Sequence, residues 1–213
     1  MATRSDFELS FKLLIGHEGG FTDNRADRGN WTSGQIGVGE LRGTKFGISA
    51  MSYPNLDIRN LTLQQAHDIY FRDFWTRSGG PDLPARTAFV VFDAAVNNGV
   101  SRAVRWLQEV VGSPADGIWG PNTRAASLRA TERDETHVVV EFHSSRMRFM
   151  IGLNTWPTFG GGWSRRLVRV PLEAANYWPS VAPEAIPVPE VVTEPDSVIA
   201  DILVRLAALE SRG

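Results

Sequence analysis

The 213-residue chain contains no cysteine. That excludes a disulfide scaffold, a thiolate metal site and a cysteine nucleophile. Also missing is any uninterrupted apolar run near the ~18 residues that a membrane-spanning helix needs. The first residues, Met1-Ala2-Thr3-Arg4-Ser5-Asp6, pass straight into an amphipathic pattern without the apolar stretch of a secretory signal. Charge of one sign is scarce: 22 Lys plus Arg face 24 Asp plus Glu, and a net charge of −2 gives no ground for a nucleic-acid binder. The chain has no H-E-x-x-H, no G-x-S-x-G elbow and no phosphate-binding loop. Of the four histidines (His17, His67, His137, His143), only the last two are close in sequence, at a spacing poor for metal ligation. Neither a metal nor another cofactor is expected. What is present is ordinary for a globular chain, with 42% hydrophobic and 22% charged residues.

The near-zero net charge conceals a division. Residues 181–213 carry six acids and two bases, which leaves residues 1–180 at +2. Five of the twelve prolines fall in residues 179–195. An extended linker is expected over 178–196. Beyond it Ile199, Ile202, Leu206 and Leu209 keep a 3-4-3 spacing, predicting an amphipathic helix over 197–213 that docks on a partner or on its own domain.

Before the tail the pattern is helical with one large exception. Ser5-x-x-Glu8 fits a capping box, and Phe7, Phe11, Leu14 and Ile15 share a face, predicting a helix over 6–16. From Gly16 to Asn60 the chain is rich in Gly, Asn, Asp, Ser and Thr, with nine glycines between residues 16 and 47. Loop and short hairpin are expected there, too long for a mere connector. Thr62-x-x-Gln65 predicts another capped helix, with Leu63, Ala66, Tyr70 and Phe74 inward. Further helices are expected over 85–98 and 101–111, stopped by Gly99 and Gly112. Asp116-Gly117 reads as a turn, and Pro121 suits the start of a short helix before a longer one over 132–151. Pro157 to Trp163, with three consecutive glycines, reads as a loop ahead of a basic helix near 164–176.

Chemistry concentrates around Glu18. A carboxyl at the end of an apolar helix, entering a Gly-Gly turn, is placed for partial desolvation, which raises its pKa toward that of a general acid. Asp27 follows nine residues later in a loop with Asp23, Arg25 and Arg28. Such a loop can carry a second carboxylate across a cleft, the pairing that glycoside hydrolysis uses. The same two residues also fit surface carboxylates that cap turns. Trp31, Trp119 and Trp163 lie beside glycines, where an indole either stacks on a sugar face or packs internally. Asp93, Asn97 and Asn98 offer hydrogen bonds to glycan groups, and Asn97 and Asn98 equally suit a helix end before Gly99. Arg146, Arg148, Arg165, Arg166 and Arg169 make a basic segment suited to anionic muropeptide carboxylates or to a solvated helix face.

The runs His17-Glu18-Gly19-Gly20-Phe21, Asp27-x-Gly29 and Thr44-x-x-Gly47-Ile48 resemble the N-terminal signature of phage-type N-acetylmuramidases of glycoside hydrolase family 108. Residues 92–99 (F-D-A-A-V-N-N-G), 106–108 (W-L-Q) and 116–123 (D-G-I-W-G-P-N-T) are similar to the peptidoglycan-binding-like half of that family. The resemblance covers about residues 7–175. It implies a predominantly α, lysozyme-like fold with a Gly-rich loop or short hairpin region beside the active site. It implies a catalytic region over 1–80 and a helical peptidoglycan-binding-like half over 81–177. The implied reaction is hydrolysis of the β-1,4 bond between N-acetylmuramic acid and N-acetylglucosamine in bacterial peptidoglycan. Glu18 is the general acid by this resemblance, Asp27 the second carboxylate, and Thr44 the assisting threonine. This chain departs from the pattern in two ways: residues Trp31 to Gly43 intervene before Thr44, and Asn30 replaces the second glycine. Thr32 keeps the distance from Asp27 and is the alternative to Thr44. Trp31, Thr32, Asp93, Asn97, Asn98 and Trp119 are the expected glycan contacts. A lytic transglycosylase and a non-catalytic peptidoglycan-binding protein of a phage particle are the competing readings. The expected route is synthesis in the host cytoplasm, with holin-dependent release or carriage by a phage-like particle through residues 197–213, and action on cell-wall peptidoglycan.

Overall fold

Thr3, rather than Ser5, caps the first helix in the computed structural model, which describes residues 1–15 and 20–179. Helix α1 spans Arg4–Ile15. The Thr3 hydroxyl accepts the Asp6 amide at 3.3 Å, and the Asp6 carboxylate accepts the Thr3 amide at 2.7 Å. Aspartate does here what glutamate was expected to do two residues later. Glu8 is thereby free for Arg4, at 3.0 Å, and for His67, at 2.8 Å. The buried side of α1 is aromatic. Phe7 lies with its ring centre 4.9 to 6.0 Å from those of Phe11, Phe71, Trp75 and Phe92.

Helix α2, Leu63–Ile69, has both halves of the Thr62–Gln65 capping box. It runs without interruption into a π-helical turn, Tyr70–Thr76. Ala66 and Tyr70 face the core as expected, but Leu63 is 52% exposed. It borders an open groove of about 640 Å³ between α1 and α2.

Residues 20–60 are mostly irregular. Strands β1 (Thr44–Lys45) and β2 (Ile48–Ser49) form an antiparallel hairpin, pairing Thr44 with Ser49 and Lys45 with Ile48. Both turn residues have positive φ, Phe46 at 51° and Gly47 at 75°, the backbone of a two-residue primed turn. Phenylalanine seldom adopts that conformation. It is held because buried Tyr70 donates its hydroxyl to the Phe46 carbonyl at 3.1 Å. Burial pushes that phenol up to about 12, so it remains a donor.

Helix α3, Ala85–Asn98, is the central element, with Thr87 through Ala95 all buried. Gly99 ends it, and α4 (Val100–Val111) turns back along it. The element α5, Pro121–Ile151, contains a break at Asp134 (φ −163°, ψ 90°), whose carboxylate accepts the His137 amide at 2.9 Å. Asp134 therefore caps a second helical segment, and the expected short and long helices are the two sides of this break.

The final helix is longer than its composition suggests. Helix α6 covers Trp156–Tyr177 and absorbs Gly160, Gly161 and Gly162, where a loop was expected. Pro157 sits in the first turn, where proline is tolerated. Trp156 lies against Gly160, and Trp163 lies 6.0 Å from Trp156 and 5.8 Å from Phe159, so aromatic contacts at helical spacing offset the glycine penalty. After α6, Trp178 packs on Phe89 at 5.4 Å and donates its indole N–H to Asp6 at 2.7 Å. The linker residues after 179 and the amphipathic helix expected over 197–213 lie outside the described residues.

A Cβ added at Gly161 meets nothing within 4 Å. Gly161→Ala should therefore raise stability by about 0.5–1 kcal/mol in urea unfolding, the gain of removing glycine from a helix interior. A decrease would argue for the loop.

Candidate functional site

The stretch after Gly20 is organised by one buried amide. Asn30 is fully buried at the end of a 3-10 turn, Arg28–Asn30. Its Nδ2 donates to the Asn24 carbonyl at 3.0 Å, and its Oδ1 accepts the Thr44 hydroxyl at 2.7 Å. Its carbonyl accepts the amides of both Arg42 and Gly43 at 3.0 Å. These bonds fasten the 24–30 loop to the β1–β2 hairpin.

Asp27 is the residue this clamp presents. It caps the 3-10 turn through Oδ1, which accepts the Gly29 amide at 2.8 Å. Its side chain is exposed, and Oδ2 has no hydrogen-bond partner among the described residues. Glu18, with Gly16, His17 and Gly19, lies outside the described residues. Thr44 gives its hydroxyl to Asn30, and Thr32 Oγ1 accepts the Glu40 amide at 3.0 Å. Neither threonine touches Asp27. Trp31 is 8% exposed and donates its indole N–H to the Arg25 carbonyl at 3.0 Å, so its ring closes the inserted loop from within.

A second group of expected residues converges some distance along the chain. Asp93 has 1% of its surface exposed. Arg146 Nη1 lies 2.7 Å from its Oδ2, and Arg166 engages its Oδ1 through Nε, at 2.9 Å, and Nη2. Burial alone raises a carboxyl pKa, but the two guanidiniums overcome it and hold Asp93 below the usual carboxylate range. The sequence reading gave Asp93 a sugar; the structure gives it two arginines, because burial removes it from any glycan. Arg146, one of the arginines read as a possible solvated face, is fully buried. Asn98 accepts Arg146 Nε at 2.9 Å, and Asn97 donates to the Asp93 carbonyl at 2.7 Å. Asn97, Asn98, Arg102, Arg146, Arg166 and Trp163 line a pocket of about 330 Å³, together with Phe149, Met150 and Leu153.

Trp119 belongs to a third arrangement. Its indole N–H donates to Asp82 at 3.0 Å, and its ring covers Gly79, whose φ of 88° and lack of Cβ admit it. The turn that carries Trp119 is built on Gln108, which is fully buried. Gln108 Nε2 donates to Asp116 at 2.7 Å and to Thr123 at 2.9 Å, while its Oε1 accepts the Gly117 amide at 2.8 Å. The W-L-Q and D-G-I-W-G-P-N-T motifs are thus one hydrogen-bonded unit. Neither Gln108 nor Asn30 was given a role from sequence. The only cue was a polar residue inside an otherwise apolar or glycine-rich motif.

Residues 11–99 match the family Glycosyl hydrolase 108, and residues 102–168 match the family Predicted Peptidoglycan domain. Over residues 11–99 the chain is thus similar to the glycosyl hydrolase 108 family. The two matched regions meet at the α3–α4 corner. A solved structure, SagA of Brucella abortus, is 29% identical with a TM-score of 0.69, over 84% of this chain and 99% of that one. No curated protein matches the sequence. The two matched regions together support a peptidoglycan hydrolase, and the fold is predominantly α. Among the described residues, no helix is long and apolar enough to cross a membrane.

The arginine–aspartate group has a measurable acid sensitivity through its neighbour His143. That ring donates its Nδ1–H to the Val139 carbonyl at 3.3 Å and leaves Nε2 buried without a partner among the described residues. Burial, aided by Arg146, pushes the imidazole down to about 4 from 6.5. Below about pH 6.5 the unfolded chain binds a proton that the folded chain refuses, so stability falls until about pH 4, by on the order of 3 kcal/mol. His143→Leu should flatten the urea midpoint over that interval. Asp93 acts at lower pH: its contribution is complete above the unfolded carboxylate value of ~3.9 and is lost as pH falls through its folded value. Asp93→Ala should cost about 3–5 kcal/mol at neutral pH by leaving two guanidiniums unpaired.

Proposed function

We propose that this hydrolase is an N-acetylmuramidase that cleaves the β-1,4 bond between N-acetylmuramic acid and N-acetylglucosamine. The observation that supports it is Asp27, an exposed carboxylate with one oxygen unpartnered among the described residues, fixed on a clamped loop nine residues after Glu18. Glu18 protonates the glycosidic oxygen as it leaves. Asp27 either stabilises positive charge at the anomeric carbon or activates the attacking water. Thr44 acts through Asn30, holding the loop that carries Asp27, while residues 81–177 grip the wall polymer. For residues 197–213 the proposed partner is a phage-like particle; a chain truncated after Tyr177 that still co-sediments with particles would remove that assignment.

Clearing of a peptidoglycan suspension tests the catalytic reading. Glu18→Gln should slow clearing by about 10²–10⁴-fold, the usual worth of a general acid, with the fold unchanged by circular dichroism. Asp27→Asn should also slow it strongly, whereas Thr44→Ser should retain most activity. Mass spectrometry of the products should show reducing muramic acid ends. Anhydro-muramyl ends alone would make the protein a lytic transglycosylase, and no clearing by the wild type would make it a binding protein.

A further inference from the structure

The pocket beside Asp93 has more positive charge than its surroundings balance. Three guanidiniums line it, from Arg102, Arg146 and Arg166, and no acidic residue does. Asp93, beneath it, is a single carboxylate shared by Arg146 and Arg166. Arg146 Nη2 and Arg166 Nη1 have no hydrogen-bond partner among the described residues. Arg102 is exposed, held in place by stacking 4.2 Å over the Phe149 ring and by donating to the Asn98 carbonyl at 3.1 Å. The cavity is therefore a cationic floor with an apolar wall of Phe149, Trp163 and Leu153.

Each feature limits the ligand. Guanidiniums fixed by a buried partner are preorganised donors, and they bind planar oxyanions through paired N–H groups. An aromatic and aliphatic wall favours a ligand whose anion is attached to carbon chains, unlike a bare inorganic ion. A volume of about 330 Å³ is at the small end of ligand pockets and suits a peptide end.

We infer that this pocket binds a free carboxylate of the peptidoglycan stem peptide, with Arg102 and Arg166 as its donors and Trp163 and Phe149 against the adjoining side chain. The assignment rests on the peptidoglycan reading above but is independent of which glycosidic bond is cut. It separates the polymer into two recognised parts: the glycan at the Asp27 loop and the peptide at the α3–α6 pocket.

Isothermal titration of the full chain with a synthetic stem tetrapeptide tests it. The peptide with free carboxylates should bind, and the fully amidated peptide should bind at least tenfold more weakly. Arg102→Gln, at an exposed position outside the buried ion group, should weaken the free peptide about tenfold, and Arg102→Lys should lose less. Equal binding of free and amidated peptides, or no effect of Arg102→Gln in a protein with unaltered thermal unfolding, would overturn the assignment. Binding of inorganic phosphate as tight as that of the peptide would also overturn it. Glycan cleavage is scored separately on the wild-type protein. Cleavage without peptide binding defeats this inference, and peptide binding without cleavage supports it while defeating the hydrolase.

Discussion

One carboxylate, that of Asp93, sits where helices α3, α5 and α6 meet, and among the described residues it is the only acid that Arg146 and Arg166 engage. Taking Asp93 and Arg146 out of water, and much of Arg166 with them, is costly, and the cost is offset only while the pairings are kept. The ion group therefore dictates the distance between the three helices more strictly than apolar contacts would, since side chains such as Leu167 and Val170 can repack around small shifts. It also leaves a surplus positive charge at the pocket above. Holding the helices together and presenting a cation to solvent are two results of the same stoichiometry.

A different device organises the parts that have little secondary structure. Irregular backbone must still satisfy its amides and carbonyls. In residues 20–60 that is done by Asn30, and in the turn between α4 and α5 by Gln108. Each uses a buried carboxamide, which offers donors and an acceptor in one planar group. An aspartate or glutamate of the same shape would lack the donor. The regions that carry the functional motifs thus depend on single buried carboxamides beside only a two-residue ladder, which raises sensitivity to mutation at these two positions.

Much of the architecture was readable because it is local. Thr62–Gln65, Gly99, Gly112 and Pro121 mark helix ends through physics acting within a few residues, and each is found where expected. The first cap was misplaced by two residues because Thr3–Asp6 and Ser5–Glu8 satisfy the same pattern, and only the distant demand of His67 on Glu8 separates them. The glycine run at 160–162 misled because composition does not show Trp156 packed on Gly160. Asp93 misled for a stronger reason. Its partners are 53 and 73 residues away, and nothing near it in sequence distinguishes a buried ion partner from a glycan ligand. In the region that matches glycosyl hydrolase 108, the sequence pattern around Asp27 was legible, whereas the part Asn30 plays in fastening the loop was concealed in what looked like a departure from the family pattern.

The contact between Trp178 and Asp6 joins the last described turn to the first helix. The two ends of the described unit Met1–Ser180 are therefore neighbours, although 172 residues separate Asp6 from Trp178. Such a body is a closed circuit. A short bridge from the first residues to Trp178, with a new opening at the exposed Ile36–Val38 loop, would yield a circular permutant with the same core.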